Sequence, residues 1–526
     1  MTFRRSTGNR GQAVLTLVAA GTLLAGCTLG PSERPPLATF GAAPSTSTAT
    51  VQSSAPVGPG GGGRQADPIS WEPCSDVDAV DRESGLSFTV DCAAVLVDRT
   101  GVSFTDQAIH VARARAAGVA DDAPTVVVLS GPPGANGRDR VAAVTAGLSE
   151  AVRAHFAVLT VDLVGTGQSA PIDCLSGYDT ATLTSLGSDP AAPGATTAIA
   201  ELSRSLTFEC GDLAGPELSL VNSTTAADDL DALRSALGQE TLTLIGQGFG
   251  ATLAAVYADR YPGRVQAAVL DAPNDPLDEM DVTATDVANA AERALDDFAA
   301  RCASFSGGCP LGDDPRSTVE QAISTLDARP GAGPGAGSTN GGSVLLTLLL
   351  TLGDPDSWPA LASAVAAAAD GNPGPIGRLL ESALGLQQGT PWLNAAIIYG
   401  CNDGALRISP DQLSAAVEAA RATAPLFGPY TVGLTGLCSS WPAAEAALGA
   451  VKAAGAPPIL VAGSVRDPLA PYEQVRSLTG QLGSATLVSW QSGRHGSYPA
   501  SACVSAAVDA YLLKQELPGV GTLCPP

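Results

Sequence analysis

TLTLIGQGFGATLAAVYADRYPGRVQAAVLDAP, from Thr241 to Pro273, sets the fold of the whole chain. Thr241 to Ile245 is short, β-branched and apolar, which predicts a buried strand, and Gly246-Gln247-Gly248-Phe249-Gly250 predicts a sharp turn. Ala251 to Tyr261 carries helix formers up to the stop at Pro262-Gly263, and Val265 to Leu270 predicts a second buried strand. A strand running through G-x-S-x-G into a helix is a nucleophile elbow, in which a strained turn lifts a serine hydroxyl above the sheet edge. Here Gly248 stands where the serine belongs, and no intact G-x-S-x-G occurs elsewhere in the sequence.

The 526 residues, 45% apolar, suffice for a large core: one α/β domain with an insertion. A formal net charge of -24 argues against nucleic acid as a partner and against electrostatic adhesion to anionic lipid. Membrane attachment must therefore be covalent or hydrophobic. The N-terminus supplies the means. Arg4, Arg5 and Arg10 form a basic segment before the apolar run Ala13 to Gly26, which is too short to span a bilayer and reads as an export signal. Leu24-Ala25-Gly26-Cys27 resembles the bacterial lipobox, which implies acylation of Cys27 and a lipid anchor on the extracytoplasmic face. Of eleven cysteines, setting Cys27 aside leaves an even number, suited to disulfides in an oxidising compartment. Sequence alone does not fix the pairing; local spacing suggests Cys74 with Cys92, Cys174 with Cys210, Cys302 with Cys309, Cys401 with Cys438, and Cys503 with Cys524. Scattered cysteines and only three histidines, His110, His155 and His495, argue against a metal site, and no cofactor is expected.

In chain order, a signal peptide (1–26) precedes a lipidated N-terminus and flexible Pro/Ser/Thr/Gly-rich linker (27–68). A core segment (69–275) carries predicted strands at Ala108 to Ala114, Thr125 to Leu129 and Ala157 to Val161, with a helix at Val141 to His155 between the last two. Strands alternating with helices predict a mostly parallel sheet with right-handed crossovers. After Pro273 the pattern turns helical and acidic, which predicts an inserted helical cap at 276–395. The segment 396–526 returns to the core, with strands at Pro457 to Ala462 and Ala485 to Trp490 and a helix at Cys503 to Lys514. There is no transmembrane pattern and no repeat.

With these segments placed, the chain resembles the secreted tripeptidyl aminopeptidases of actinobacteria, relatives of the proline iminopeptidases with the α/β-hydrolase fold. The likeness runs from Trp71 to the C-terminus. It is carried by WEPC, SGPPGANG, VDLVGTGQSAPIDC, the elbow with YADRYPGRVQAAVLDAP, DSWPALASAV, GSVRDPLAPY, and GRHGSYPASACVSAAVDAYL with GTLCPP. The resemblance implies a triad falling on Gly248 as nucleophile, Asp467 as acid and His495 as base, and it agrees with the sequential cysteine pairing. It also implies an oxyanion hole from the N–H of Phe249 and of the second glycine in a GGPGGSG loop. That second position is Pro132, which has no N–H. A further departure is Val164, where the family usually carries arginine.

Acyl transfer needs an oxygen or sulfur that a histidine can deprotonate, and glycine offers neither. The expected function is therefore that of an exported, lipid-anchored pseudohydrolase that binds a peptide or protein partner. The alternative is a hydrolase of reduced or water-mediated mechanism using His495 and Asp467.

Overall fold

A computed structural model describes residues 68–97, 108–129, 131–135, 137–192, 194–334, 337–386, 392–445 and 447–526. The signal peptide, Cys27 and most of the linker lie outside the described residues. The strands of the main sheet are β1 (Glu72–Pro73), β2 (Thr89–Leu96), β3 (Ala108–Arg115), β4 (Thr125–Leu129), β5 (Ala157–Val161), β6 (Leu242–Gln247), β7 (Val265–Asp271), β8 (Ile459–Ser464), β9 (Ala485–Trp490) and β10 (Thr522–Cys524). They form one ten-stranded sheet in the order β1-β2-β3-β5-β4-β6-β7-β8-β9-β10. The first three strands pair antiparallel up to β5, and every pairing from β5 onward is parallel. This is the α/β-hydrolase fold: a mostly parallel sheet flanked by helices.

The central strands read as continuous apolar runs because both faces of a parallel sheet are covered. Alternate residues go to opposite faces. Val126, Val128, Val158, Ile245, Val269 and Val488 pack with Val152, Phe156, Val504 and Tyr511 on one side. Val127, Leu159, Leu244 and Leu270 pack with Leu230, Leu233, Leu253 and Tyr257 on the other. The chain runs outward from β4 to β5, then crosses back to place β6 on the far side of β4. That reversal opens a crevice at the carboxyl ends of β4 and β6, where open α/β sheets bind ligands.

Two details depart from expectation. The helix expected over Val141 to His155 is two helices, Val141–Gly147 and Glu150–His155, because the Ser149 side chain accepts the Val152 N–H and starts a new helix. The helices between β7 and β8 also run past Ala395, through Leu393–Asp403, Pro410–Arg421 and Phe427–Leu434. The earlier excursion between β5 and β6 joins them: Asn340 Nδ2 donates to Ser185 O (2.7 Å), and the Ser440 N–H donates to Ser203 Oγ (2.9 Å). Five disulfides close the pairs Cys74–Cys92, Cys174–Cys210, Cys302–Cys309, Cys401–Cys438 and Cys503–Cys524, the pairing that spacing suggested. No helix among the described residues is long and apolar enough to cross a membrane.

Candidate active site

β6 passes directly into the helix Phe249–Arg260 through Gly248, which sits in the left-handed region at φ 56° and ψ -124°. The crossing is tight enough that a Cβ on Gly246 would come within 2.4 Å of Gly250 O, which is why that position must be bare. The Gly248 N–H donates to Asp271 O at 2.9 Å, across the β6–β7 pairing. A side chain at Gly248 would point at the imidazole: its Cβ would lie 3.3 Å from His495 Nε2 and 3.7 Å from Cε1.

His495 follows β9 in a turn that Gly496 completes at φ 77°. Its Nδ1 lies 2.9 Å and 3.1 Å from the two oxygens of Asp467. Asp467, buried in the loop after β8, also accepts the backbone N–H groups of Leu469 (2.9 Å) and Ala470 (3.0 Å). With Nδ1–H given to the carboxylate, the neutral ring presents Nε2 as an acceptor toward Gly248. Nε2 has no hydrogen-bond partner among the described residues. Burial alone pulls the imidazole pKa down, but the Asp467 charge, its hydrogen bond and the nearby Asp271 outweigh it, and the net shift is upward. Such a group takes up a proton more readily than an ordinary imidazole.

The glycine-rich loop after β4 lies beside the elbow: Pro133, Gly134, Phe249 and Gly250 line one small cavity of about 20 Å³. Pro132 contributes only a carbonyl, which accepts the Ala135 N–H at 3.0 Å. The N–H groups of Phe249 and Gly250, at the start of their helix, have no side-chain cap and no backbone acceptor among the described residues. Asp162, after β5, fastens this loop by accepting the Arg138 N–H (2.7 Å) and the Gln168 N–H (2.8 Å). Val164 is buried in the core, and its carbonyl accepts the Tyr399 hydroxyl at 3.0 Å. Tyr399 in turn meets the Phe249 ring edge-on at 5.3 Å between centroids. Beside Phe249 opens a cavity of about 420 Å³, lined among others by Thr252, Asn274, Met280, Asp403 and Thr431. That volume falls in the range of small-molecule and peptide side-chain pockets.

The structure thus brings Gly248, Phe249, His495 and Asp467 together at the carboxyl ends of β6, β8 and β9, and places the Pro132 loop alongside. Three features had no signal in the motifs. His495 N–H donates to Gly353 O (2.8 Å) between two cap helices, neighbouring Arg494 pairs with Asp354 (2.9 Å) and Asp356, and the Asp271 carboxylate lies beneath the His495 turn. No group of His, Cys, Asp and Glu among the described residues is arranged to hold a metal ion.

The chain is 26% identical over 493 residues to serine protease Hip1 of Mycobacterium tuberculosis H37Rv, covering 88% of this chain and 93% of the relative. It is 25% identical over 372 residues to the tripeptidyl aminopeptidase of Streptomyces lividans, 69% of each. Residues 424–524, which include Asp467 and His495, match the family described as TAP-like protein. The matched region is TAP-like, and the fold that carries it is that of an α/β-hydrolase. Among solved structures, the chain is similar to a proline iminopeptidase of Mycobacterium smegmatis, at 16% identity and TM-score 0.34, covering 78% of this chain and 97% of that one.

Proposed function

We propose that this TAP-like protein is a pseudohydrolase: an exported, lipid-anchored body that binds a peptide or protein partner in the cleft beside Phe249 and leaves it uncut. The observation that carries this reading is Gly248 at the apex of the elbow, facing an unpartnered imidazole nitrogen with no hydroxyl between them. Without a side-chain nucleophile no acyl-enzyme forms. The missing N–H at Pro132 compounds the loss, since removing one oxyanion donor typically costs about 100- to 1000-fold in rate. The cavity of about 420 Å³ supplies room for a bound side chain. The lipid anchor rests on the apolar run ending in Leu24-Ala25-Gly26-Cys27.

The test is a fluorophosphonate probe on the full-length protein, with thermal stability followed in the presence of tripeptides. The reading requires no serine labelling and a stabilising peptide; stoichiometric labelling of any serine overturns it. For the anchor, Cys27→Ala should move the protein from the membrane to the soluble fraction.

One observation favours a second reading. The His495–Asp467 pair is intact and its Nε2 is free to accept a proton from a water molecule. Water held in the space above Gly248 would then attack a bound ester or amide directly. An ester and peptide panel with His495→Ala as control decides it: equal rates in the two proteins dispose of general-base catalysis.

A further inference from the structure

We propose that Asp271 is the positioning residue of this site, one buried aspartate that sets the gap between the elbow and the imidazole. The proposal rests on the acid–base reading of His495 and Asp467 given above. Asp271 ends β7, the strand between β6, which carries Gly248, and β8, which leads to Asp467. From there it holds both sides of the notch. Its backbone oxygen accepts the Gly248 N–H at 2.9 Å. Its carboxylate accepts the Ser497 N–H (3.0 and 2.8 Å to the two oxygens), the Ser497 hydroxyl (2.6 Å) and the Tyr498 N–H (2.8 Å). The only residue between these anchors and His495 is Gly496, at φ 77°, whose Cβ would lie 3.7 Å from Asp271 Oδ2. A second tie runs parallel: Gln247 Nε2, one residue before Gly248, donates to Tyr498 O at 2.7 Å.

Three donors converge on this carboxylate, so the position demands a group that only accepts. Asparagine has nearly the same shape but would turn an amide N–H against a backbone N–H, and the loop would have to move. The side chain is fully buried, and burial pushes its pKa up to about 6, partly offset by the Ser497 and Tyr498 bonds. A charge is costly in such a place, which argues that the residue serves more than packing. Its charge also reaches the imidazole, where it acts with Asp467.

The experiment is an NMR titration of the histidine ring signals in the full-length protein, with His110→Gln and His155→Gln giving the assignment. Asp271→Asn should lower the His495 pKa by about half a unit or more, and Ser497→Ala should lower it less. Leu230→Ala, a core truncation remote from the loop, should lower the melting temperature and leave the His495 titration where it was. If the Asp271→Asn curve superimposes on the wild-type curve, the positioning role is refuted, whatever happens to stability. Should Asp271→Asn fail to fold, Ser497→Ala and Gln247→Ala carry the same test, and unchanged curves in both refute it equally. In a Gly248→Ser background, Asp271→Asn should slow fluorophosphonate labelling at least about tenfold, as expected of a displaced base. If Gly248→Ser alone is not labelled, the acid–base reading has failed, and the ring titration still decides the role of Asp271.

Discussion

Gly248→Ser restores the missing hydroxyl, and the structure indicates both what that costs and what it restores. At φ 56° and ψ -124° the backbone at 248 lies in a region that residues with a Cβ rarely adopt. Strain of this kind costs on the order of 1–3 kcal/mol. The new Cβ would also sit 3.3 Å from His495 Nε2, close enough that the ring must give by a few tenths of an ångström. Unfolding entropy of roughly 2 cal/mol/K per residue gives a folded body of this size about 1 kcal/mol/K, so the expected fall in Tm is about 1–3 °C. Calorimetry measures it, with disulfides kept oxidised, and Gly248→Ala separates the two contributions. Alanine carries the same Cβ and should lose the same stability, while only serine places an oxygen within hydrogen-bond reach of Nε2 and gains fluorophosphonate labelling. A Tm for either variant equal to or above wild type would refute the strain argument, and with it the idea that stability favours glycine here.

Pairing Gly248→Ser with Pro132→Gly should raise aminopeptidase or esterase turnover above that of Gly248→Ser alone by about 100- to 1000-fold, the worth of one oxyanion donor, read on a chromogenic substrate panel. Asp403, whose pKa burial pushes up to about 6 against two bonds from Ser223, loses its contribution as pH rises from about 4 through 6, because its protonated form is the one folding favours. Asp403→Asn can keep both Ser223 bonds without charge, so it should flatten the pH dependence in that window and raise stability at pH 7.5 by at most about 3 kcal/mol in urea titrations. The raised pKa of His495 has the same sense: its protonated ring stabilises the fold below its ordinary range, and the benefit fades as pH climbs past its elevated value. Asp467→Asn should remove that dependence, measured as the slope of unfolding free energy between pH 6 and 8. Replacing Cys401 and Cys438 together by alanine should cost about 2–4 kcal/mol and loosen the cap, as seen in faster proteolysis between them.

The central strands were legible to the residue at Thr125–Leu129, Ala157–Val161 and Ala485–Trp490, because burial on both faces writes an unbroken apolar run that polar turns punctuate. The cap was less legible. Helices that pack on other helices carry the same 3.6-residue pattern as helices that pack on the sheet, so nothing in Leu393–Asp403 announces that the insertion continues past Ala395. Likewise, nothing local in Ala195–Ala214 ties it to the cap; long-range bonds do, among them those from Asn340, Ser343, Arg421 and Ser440 to the excursion that contains it. At the site, Asp467, His495 and the elbow could be found because they lie in motifs with fixed order. Asp271 could not. A single aspartate at the end of a strand looks like a turn residue, and its meaning comes from Ser497 and Tyr498, more than two hundred residues away.

The bond from the His495 N–H to Gly353 O makes two distant parts of the gene answerable to each other. A Cβ on Gly353 would come within 2.9 Å of His495 Cβ, so the cap segment around it cannot drift in length or bulk without displacing the imidazole. Lineages that remodel the lid to accept a new guest must therefore leave this short stretch untouched, and with it the pose of the histidine.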